Sequence, residues 1–491
     1  MKNSIRNLTA ALALLIVLSL PIFAQNNAAA SLEGNWLSAL EFNGMRLRLV
    51  LKVSRSADGF TARLDSIDQG ANDLLIETIE QQGNAVRFEA KKYGMSYEGT
   101  LAEKGDEISG TFKQGAGSQL LIFKRTAAPT KVSRPQDPQK PYPYHEEEVV
   151  YENKKDAVKL AGTLTLPRAA GRHPAVILIT GSGSQDRDET VAGHRPFLVL
   201  ADYLTRRGIA VLRVDDRGVG GSDPGSLAAT SENYAGDVIA GIEYLKSRKE
   251  INPKQIGLVG HSEGGIIAPM AALRSKDAAF IVSMAGLGQT GEDAIYTQTE
   301  LIQKAERTSP EVTKQTGVAL KNIFAILKAE PDKTRAEEKI RETLIKQSSA
   351  MNEEQQKNFS SVKAVLESQI SMYVSDWFRF LIAYAPRPRL EKIKIPVLAI
   401  NGENDLQVAS KENLALIANA LKTGGNKDYT IKSFPKLNHL FQTSQTGLLN
   451  EYGKIEETIS PQVLETIADW ILKRTTVKGN REISSTKILK N

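Results

Sequence analysis

Gly260-His261-Ser262-Glu263-Gly264 sets a serine between glycines two positions away on each side. On a sharp strand-to-helix turn such a serine holds its hydroxyl out for attack, and the glycines keep side chains off the neighbouring backbone. The pattern alone is weak, because a chain with this much Gly and Ser can carry it by chance, so the flanks must decide. Residues 255–259 read as a short buried strand, and Gly265-Ile266-Ile267-Ala268 with Met270, Ala271 and Leu273 read as a helix packed on a sheet. The competing reading is an ordinary tight turn.

A serine alcohol needs a base to take its proton and an acid to orient that base. In the chain order Ser, Asp, His both lie downstream. Of the five histidines, His145, His173 and His194 precede the serine, and His261 sits in the turn, where its ring cannot easily address the same hydroxyl. His439, in a loop after a predicted strand at 429–434, is the base by elimination. The acid should follow the strand before it, 396–401, which runs into Gly402-Glu403-Asn404-Asp405. Asp405 is the candidate, because Glu403 lies too close to the strand; Asp428 is the fallback, and a turn-forming role is the alternative for either.

The oxyanion needs hydrogen-bond donors. One is the backbone N–H of Glu263, directly after the nucleophile. The other is expected from Thr180-Gly181-Ser182-Gly183-Ser184, after the apolar run 175–179, with the N–H of Ser182 turned inward. A phosphate-cradling loop is the other reading, but the Lys-Ser/Thr ending of that motif is missing.

These motifs, together with Gln185-Asp186-Arg187-Asp188, Asp215-Asp216-Arg217-Gly218-Val219-Gly220-Gly221-Ser222, Trp377-Phe378-Arg379-Phe380 and Asn438-His439-Leu440-Phe441-Gln442, resemble the α/β-hydrolase superfamily. The resemblance is to its secreted bacterial acyl esterases with a β-rich N-terminal domain, including serine-aminopeptidase-like and EstD-type hydrolases, and covers about residues 145–473. It implies a mostly parallel sheet with helices on both faces. Where many relatives carry His-Gly at the oxyanion loop, this chain carries Thr180-Gly181.

The elements that must position these residues follow from periodicity. Predicted strands at 160–166, 175–179, 209–214, 256–259, 279–284, 397–400 and 429–434 alternate with helical segments, which is the pattern of an α/β fold. Between the fifth and sixth of these, residues 288–388 are charged and helical. Leu320, Ile323, Phe324 and Leu327 form one apolar set at helical spacing, and Val362, Val365, Leu366 and Ile370 another. This insertion is expected to be a cap over the nucleophile whose apolar face builds the acyl pocket. Trp377, Phe378 and Phe380 are the aromatics expected to line it, with cap-to-core packing as the alternative. Trp470, on the apolar stripe of the last helix, is expected in the core.

At 491 residues and 41% hydrophobic, the chain is long enough for two domains. Lys2 and Arg6 precede an apolar run broken near its end by Pro21, a signal-peptide layout over residues 1–24; the run, about 15 residues, is shorter than the roughly 20 of a membrane span, and an uncleaved anchor is the alternative. Export to the periplasm or the medium is the expectation, with no stable membrane span after cleavage. There is no cysteine, so stability must come from packing. Residues 31–125 alternate with period two between turn residues, predicting a small antiparallel sheet or barrel with Trp36 as a core plug. This region carries no catalytic constellation. Polymer binding, shielding of the active-site entrance and dimerisation are each compatible with it, so a homo-oligomer stays open. Residues 126–144, with Pro129, Pro135, Pro138, Pro141 and Pro143, read as a semi-extended linker, and 474–491 as a polar tail.

The formal charge of +6 is mild and scattered, which argues against nucleic acid as a partner. Asp216 and Arg217 are expected to form a structural ion pair, and Asp186, Arg187 and Asp188 to buttress the oxyanion loop. Neither set has metal-ligand spacing, and neither metal nor cofactor is expected. The resulting expectation is a serine carboxylesterase acting on a small-molecule ester through an acyl-enzyme. A serine peptidase or aminopeptidase of the same fold, and a non-catalytic binding protein, are the alternatives.

Overall fold

The computed structural model describes residues 31–475 apart from 43–44, 58, 68–70, 115–116 and 128–132. The expected signal peptide and nearly all of the expected tail lie outside these residues. Among them, no helix is long and apolar enough to cross a membrane.

The N-terminal sheet is wholly antiparallel. Its strands are β1 (Gly34–Phe42), β2 (Met45–Ser56), β3 (Gly59–Ser66), β4 (Ala71–Ile76), β5 (Thr78–Gln82), β6 (Ala85–Ala90), β7 (Met95–Leu101), β8 (Glu107–Gln114) and β9 (Gly117–Thr126). Their order is β4-β3-β2-β1-β9-β8-β7-β6-β5, so the two edges, β4 and β5, are consecutive in the chain and the sheet bends almost into a barrel. Alternate residues from every strand point to one core that includes Leu51, Leu64, Phe88, Tyr97 and Phe123. Trp36 is fully buried there, its indole N–H donating to the Leu32 carbonyl at 2.9 Å.

The second sheet comprises β10 (His145–Asn153), β11 (Val158–Leu166), β12 (His173–Ile179), β13 (Ala210–Val214), β14 (Ile251–His261), β15 (Ala278–Met284), β16 (Val397–Gly402) and β17 (Tyr429–Phe434). The order is β10-β11-β13-β12-β14-β15-β16-β17, parallel from β13 onward, with β10 and β11 antiparallel at one edge. Both faces are covered, which is why the central strands read as continuous apolar runs. Ile177, Leu258 and Ala399 face the helices Ser231–Ser247, Gly264–Arg274 and Ser410–Thr423, whereas Val176, Val259 and Leu398 face Pro196–Arg206 and Pro461–Thr475. Trp470 is buried against Phe280, as its place on the helical stripe implied.

Between β15 and β16 the chain forms helices Gly291–Ala305, Pro310–Ala329, Lys333–Ser349, Glu353–Ser368 and Asp376–Ala383. Ser309, Asp332, Asn352 and Ser375 cap four of them by accepting a backbone N–H. They share a core of Leu320, Ile323, Phe324, Leu327, Ile340 and Phe359.

The described residues 133–144 of the proline-rich stretch do not run free. Arg134 donates to the carbonyls of Gly193, Gly453 and Ile455, and Gln136 bridges Thr458 and Ile459, so the segment is tied along the surface of the second sheet's loops.

Candidate active site

Strand β14 ends at His261 and the next helix begins at Gly264, leaving Ser262 on the corner between them. Its φ is +54°, a region that L-residues avoid because Cβ crowds the carbonyl. The glycines make the corner possible. A Cβ at Gly260 would lie 2.0 Å from the Gly264 carbonyl oxygen, and one at Gly264 would lie 2.1 Å from that of Ile179. The Ser262 N–H is taken by the Met284 carbonyl and its own carbonyl by Gly265, which fixes the turn from both sides.

His439 lies in the loop after β17, braced by Asn438, whose side-chain oxygen accepts the N–H groups of Leu440 and Gln442. Its Nδ1 is 2.8 Å from Asp405 Oδ2, and both residues are buried. The other Asp405 oxygen accepts the N–H groups of Gln407 and Val408 at 2.8 and 2.9 Å, leaving Oδ2 to the imidazole. That pairing fixes the ring orientation and turns Nε2 away from the carboxylate. The fallback Asp428 pairs instead with Arg474, and Glu403 accepts from Ser433. The rings of His439 and His261, the residue before Ser262, stand 4.8 Å apart, so the fold brings His439 beside the nucleophile turn from 178 positions away in the sequence. In this arrangement Ser262 Oγ makes no hydrogen bond among the described residues.

Ser182, Ser262 and Glu263 line one cavity of about 880 Å3 under the cap. The backbone N–H groups of Ser182 and Glu263 have no acceptor among the described residues and are open to a ligand. Trp377 and Phe378 line the cavity, with Leu287, Ile295, Val312 and Leu381 adding apolar wall. Phe380 does not: it packs on Tyr384, against the core beneath the sheet. On the helix Asp376–Ala383 the cavity-lining positions 377, 378 and 381 share one arc, and position 380 lies about 100° from its middle, which corrects its expected role.

The acidic loops behind the site are also rewired relative to expectation. Asp216 and Arg217 do not pair with each other. Arg217 reaches Asp156 and Asp237, while Asp216 accepts from Thr180 Oγ1 and the Gln185 N–H, holding the oxyanion loop. Arg187 grips Asp215 at 2.7 Å, Arg213 pairs with Asp188, and Asp186 accepts the N–H groups of Asp188 and Thr190, so these three residues anchor the stretch that follows the oxyanion loop. His194 is buried, with burial pushing its imidazole down to about 4, and it bonds Tyr452 and Thr458.

Two residues of the site carried no expected role. Glu189 Oε1 accepts both the Gly181 N–H, at 2.7 Å, and His261 Nδ1, at 2.9 Å. Their only trace in the sequence is an acid one position past the Gly181–Asp188 stretch and a histidine beside the serine.

This sheet order, the strained serine after the fifth strand and the acid and histidine after the last two define an α/β-hydrolase. Residues 195–444, just over half of the chain, match the family described as serine aminopeptidase, S33, and the chain belongs to that family. It is similar to esterase EstD of Thermotoga maritima, 27% identical over 316 residues, or 64% of this chain and 66% of that protein. The chain therefore spans a little under two thirds of that relative's length. Among solved structures it is similar to the Pyrococcus furiosus esterase Pf2001, at 17% identity over 70% of this chain and 97% of that one, with a TM-score of 0.41. Est1E from Butyrivibrio proteoclasticus matches at 14% identity, covering 67% and 98%, with a TM-score of 0.36.

Proposed function

We propose that the protein is a serine carboxylesterase. Ser262 attacks the ester carbonyl, His439 takes its proton, Asp405 holds the imidazolium that forms, and the N–H groups of Ser182 and Glu263 stabilise the oxyanion. The proton then passes from His439 to the departing alkoxide, and the acyl group stays on Ser262. Water, deprotonated by His439, attacks that acyl-enzyme and releases the acid. The observation that carries this reading is Ser262, held at φ +54° on the wall of an apolar cavity, one residue from a ring that packs on the Asp405-bound His439.

One observation favours the second reading, an aminopeptidase: the carboxyl of Glu263 lies beside the serine, where an ammonium group would need an anion. Its oxygens are already engaged by Trp377 and Ser231, which supports the ester instead. An alkoxide is also the easier leaving group. Turnover of p-nitrophenyl esters of increasing chain length, measured beside aminoacyl anilides, tests the choice; faster hydrolysis of the anilides would overturn it. A serine-reactive phosphonate that leaves no adduct on Ser262 would favour the binding-protein reading. We further propose that the enzyme works after export, which N-terminal sequencing of the protein recovered outside the cytoplasm checks.

A further inference from the structure

We propose that Glu189 and His261 form a buried positioning pair that sets the oxyanion loop, the nucleophile turn and the base loop in one register. The role rests on the esterase reading, because its readout is turnover at Ser262.

Three bonds carry the inference. Glu189 Oε1 accepts the Gly181 N–H and His261 Nδ1, and His261 Nε2 lies 2.9 Å from the carbonyl oxygen of His439. A carbonyl only accepts, so Nε2 carries a hydrogen and donates it to the base loop, while Nδ1 shares a proton with the Glu189 carboxyl. Burial pulls this imidazole down, but the charge and hydrogen bond of Glu189, with the His439 carbonyl, outweigh burial and leave it raised. Both side chains are buried, so their bonds are shielded from competing water.

Each partner of the pair belongs to a different part of the machinery. Gly181 immediately precedes Ser182, so fixing its amide anchors the peptide unit just before the one that carries the oxyanion donor. Gly181 also lies against the serine: a Cβ there would be 3.3 Å from Ser262 Cβ and 3.2 Å from Glu189 Oε1. His261 is joined through the backbone to Ser262, and its second bond fixes the main chain of the base. Glu189 is itself held at φ +53°, an unfavoured conformation for a non-glycine residue that brings its carboxylate back under the loop. Displacing any one of these segments by about 1 Å is enough to reduce turnover on the order of a hundredfold.

A buried hydrogen-bonded pair can also be plain fold glue, and the experiment separates the two roles. Full-length wild type, E189Q, H261N, H261Q and H261A are titrated with a chromogenic phosphonate to count active Ser262, and kcat and KM are then measured per titrated site. E189Q keeps an acceptor for Gly181 but loses the charge. Asn at 261 retains a donor near the Nδ1 position, and Gln one near the Nε2 position, so each keeps one of the two links. The expected result is a kcat per site about 10- to 100-fold lower in E189Q, with KM within about threefold. Phosphonylation should slow in step, since the phosphonyl oxygen occupies the same hole, and H261N and H261Q should each retain more turnover than H261A. A kcat per site within twofold of wild type in E189Q, H261N and H261Q, with only melting temperature or titratable fraction reduced, overturns the proposal. Because rates are counted per labelled serine, poorly folding molecules do not blur the outcome. A wild type that takes no phosphonate on Ser262 removes the esterase reading itself, a different result from a labelled wild type with unaffected variants.

Discussion

Trp377 of the cap donates its indole N–H to both carboxylate oxygens of Glu263, at 2.9 and 3.1 Å, joining the cap to the residue that follows Ser262. Ser231 Oγ is a second donor, to Oε1 at 2.6 Å. Burial lifts the Glu263 carboxyl above the usual carboxylate range, and these bonds oppose the lift.

Trp377→Phe keeps the ring but leaves the buried carboxyl short of a donor. We expect a loss of about 1–3 kcal/mol in stability and a several-fold lower kcat/KM, as the Glu263 N–H shifts. Thermal unfolding and ester kinetics on W377F, E263M and the double variant check this. If the bond matters, W377F costs clearly less in the E263M background, which has no acceptor, than in wild type.

Asp405→Asn removes the oxygen that accepts from His439 Nδ1 while leaving a group that can still receive Gln407 and Val408. kcat should fall about 10^3- to 10^4-fold with the fold intact, because the imidazole is freed to take the wrong tautomer. Asp428→Asn should stay within about twofold of wild type, since that carboxylate binds Arg474 instead. Comparable kcat losses in the two variants would contradict the assignment.

Much of this site was legible because its parts are local. The strand, the turn glycines and the helix around Ser262 lie within 24 residues, and the strand Tyr429–Phe434 has the bounds its alternation and turn residues predict. β10 was missed because Glu146, Glu147 and Glu148 break the apolar pattern, as an edge strand with a single neighbour permits. The partners of Asp215, Asp216 and Arg217 were not legible, because adjacent residues in a loop can point apart and their partners lie on distant segments. Glu189 and His261 are 72 positions apart, and nothing in a single sequence pairs two such residues.

The cavity gives a test of where the acyl chain goes. Val365 lines it yet is 38% exposed, so bulk there need not disturb the cap's core. Val365→Trp should reduce turnover of the longest accepted p-nitrophenyl ester at least tenfold relative to wild type, at about 0.8 kcal/mol per methylene denied burial. Acetate turnover should change less than twofold. An equal loss for short and long esters would place the acyl chain elsewhere.

Asp216 couples the oxyanion loop to pH. Burial pushes its carboxyl up to about 7, against the hydrogen bonds from Gln185 and Thr180, and the charges of Glu263 and Glu189 add to the rise. An acid whose folded pKa exceeds its unfolded value holds its proton longer in the folded state. Its contribution to stability is therefore complete below about pH 4 and is lost as pH climbs through about 7. Asparagine mimics the protonated acid, so Asp216→Asn removes this term and leaves only a constant offset from mismatched hydrogen bonding. The stability of D216N relative to wild type should grow between pH 5 and pH 8 and level off above that. The total gain should be less than about 4 kcal/mol, because the carboxyl keeps some contact with solvent. Urea unfolding of both proteins across that range measures it, and a difference that is flat with pH would mean that Asp216 titrates in the ordinary carboxylate range.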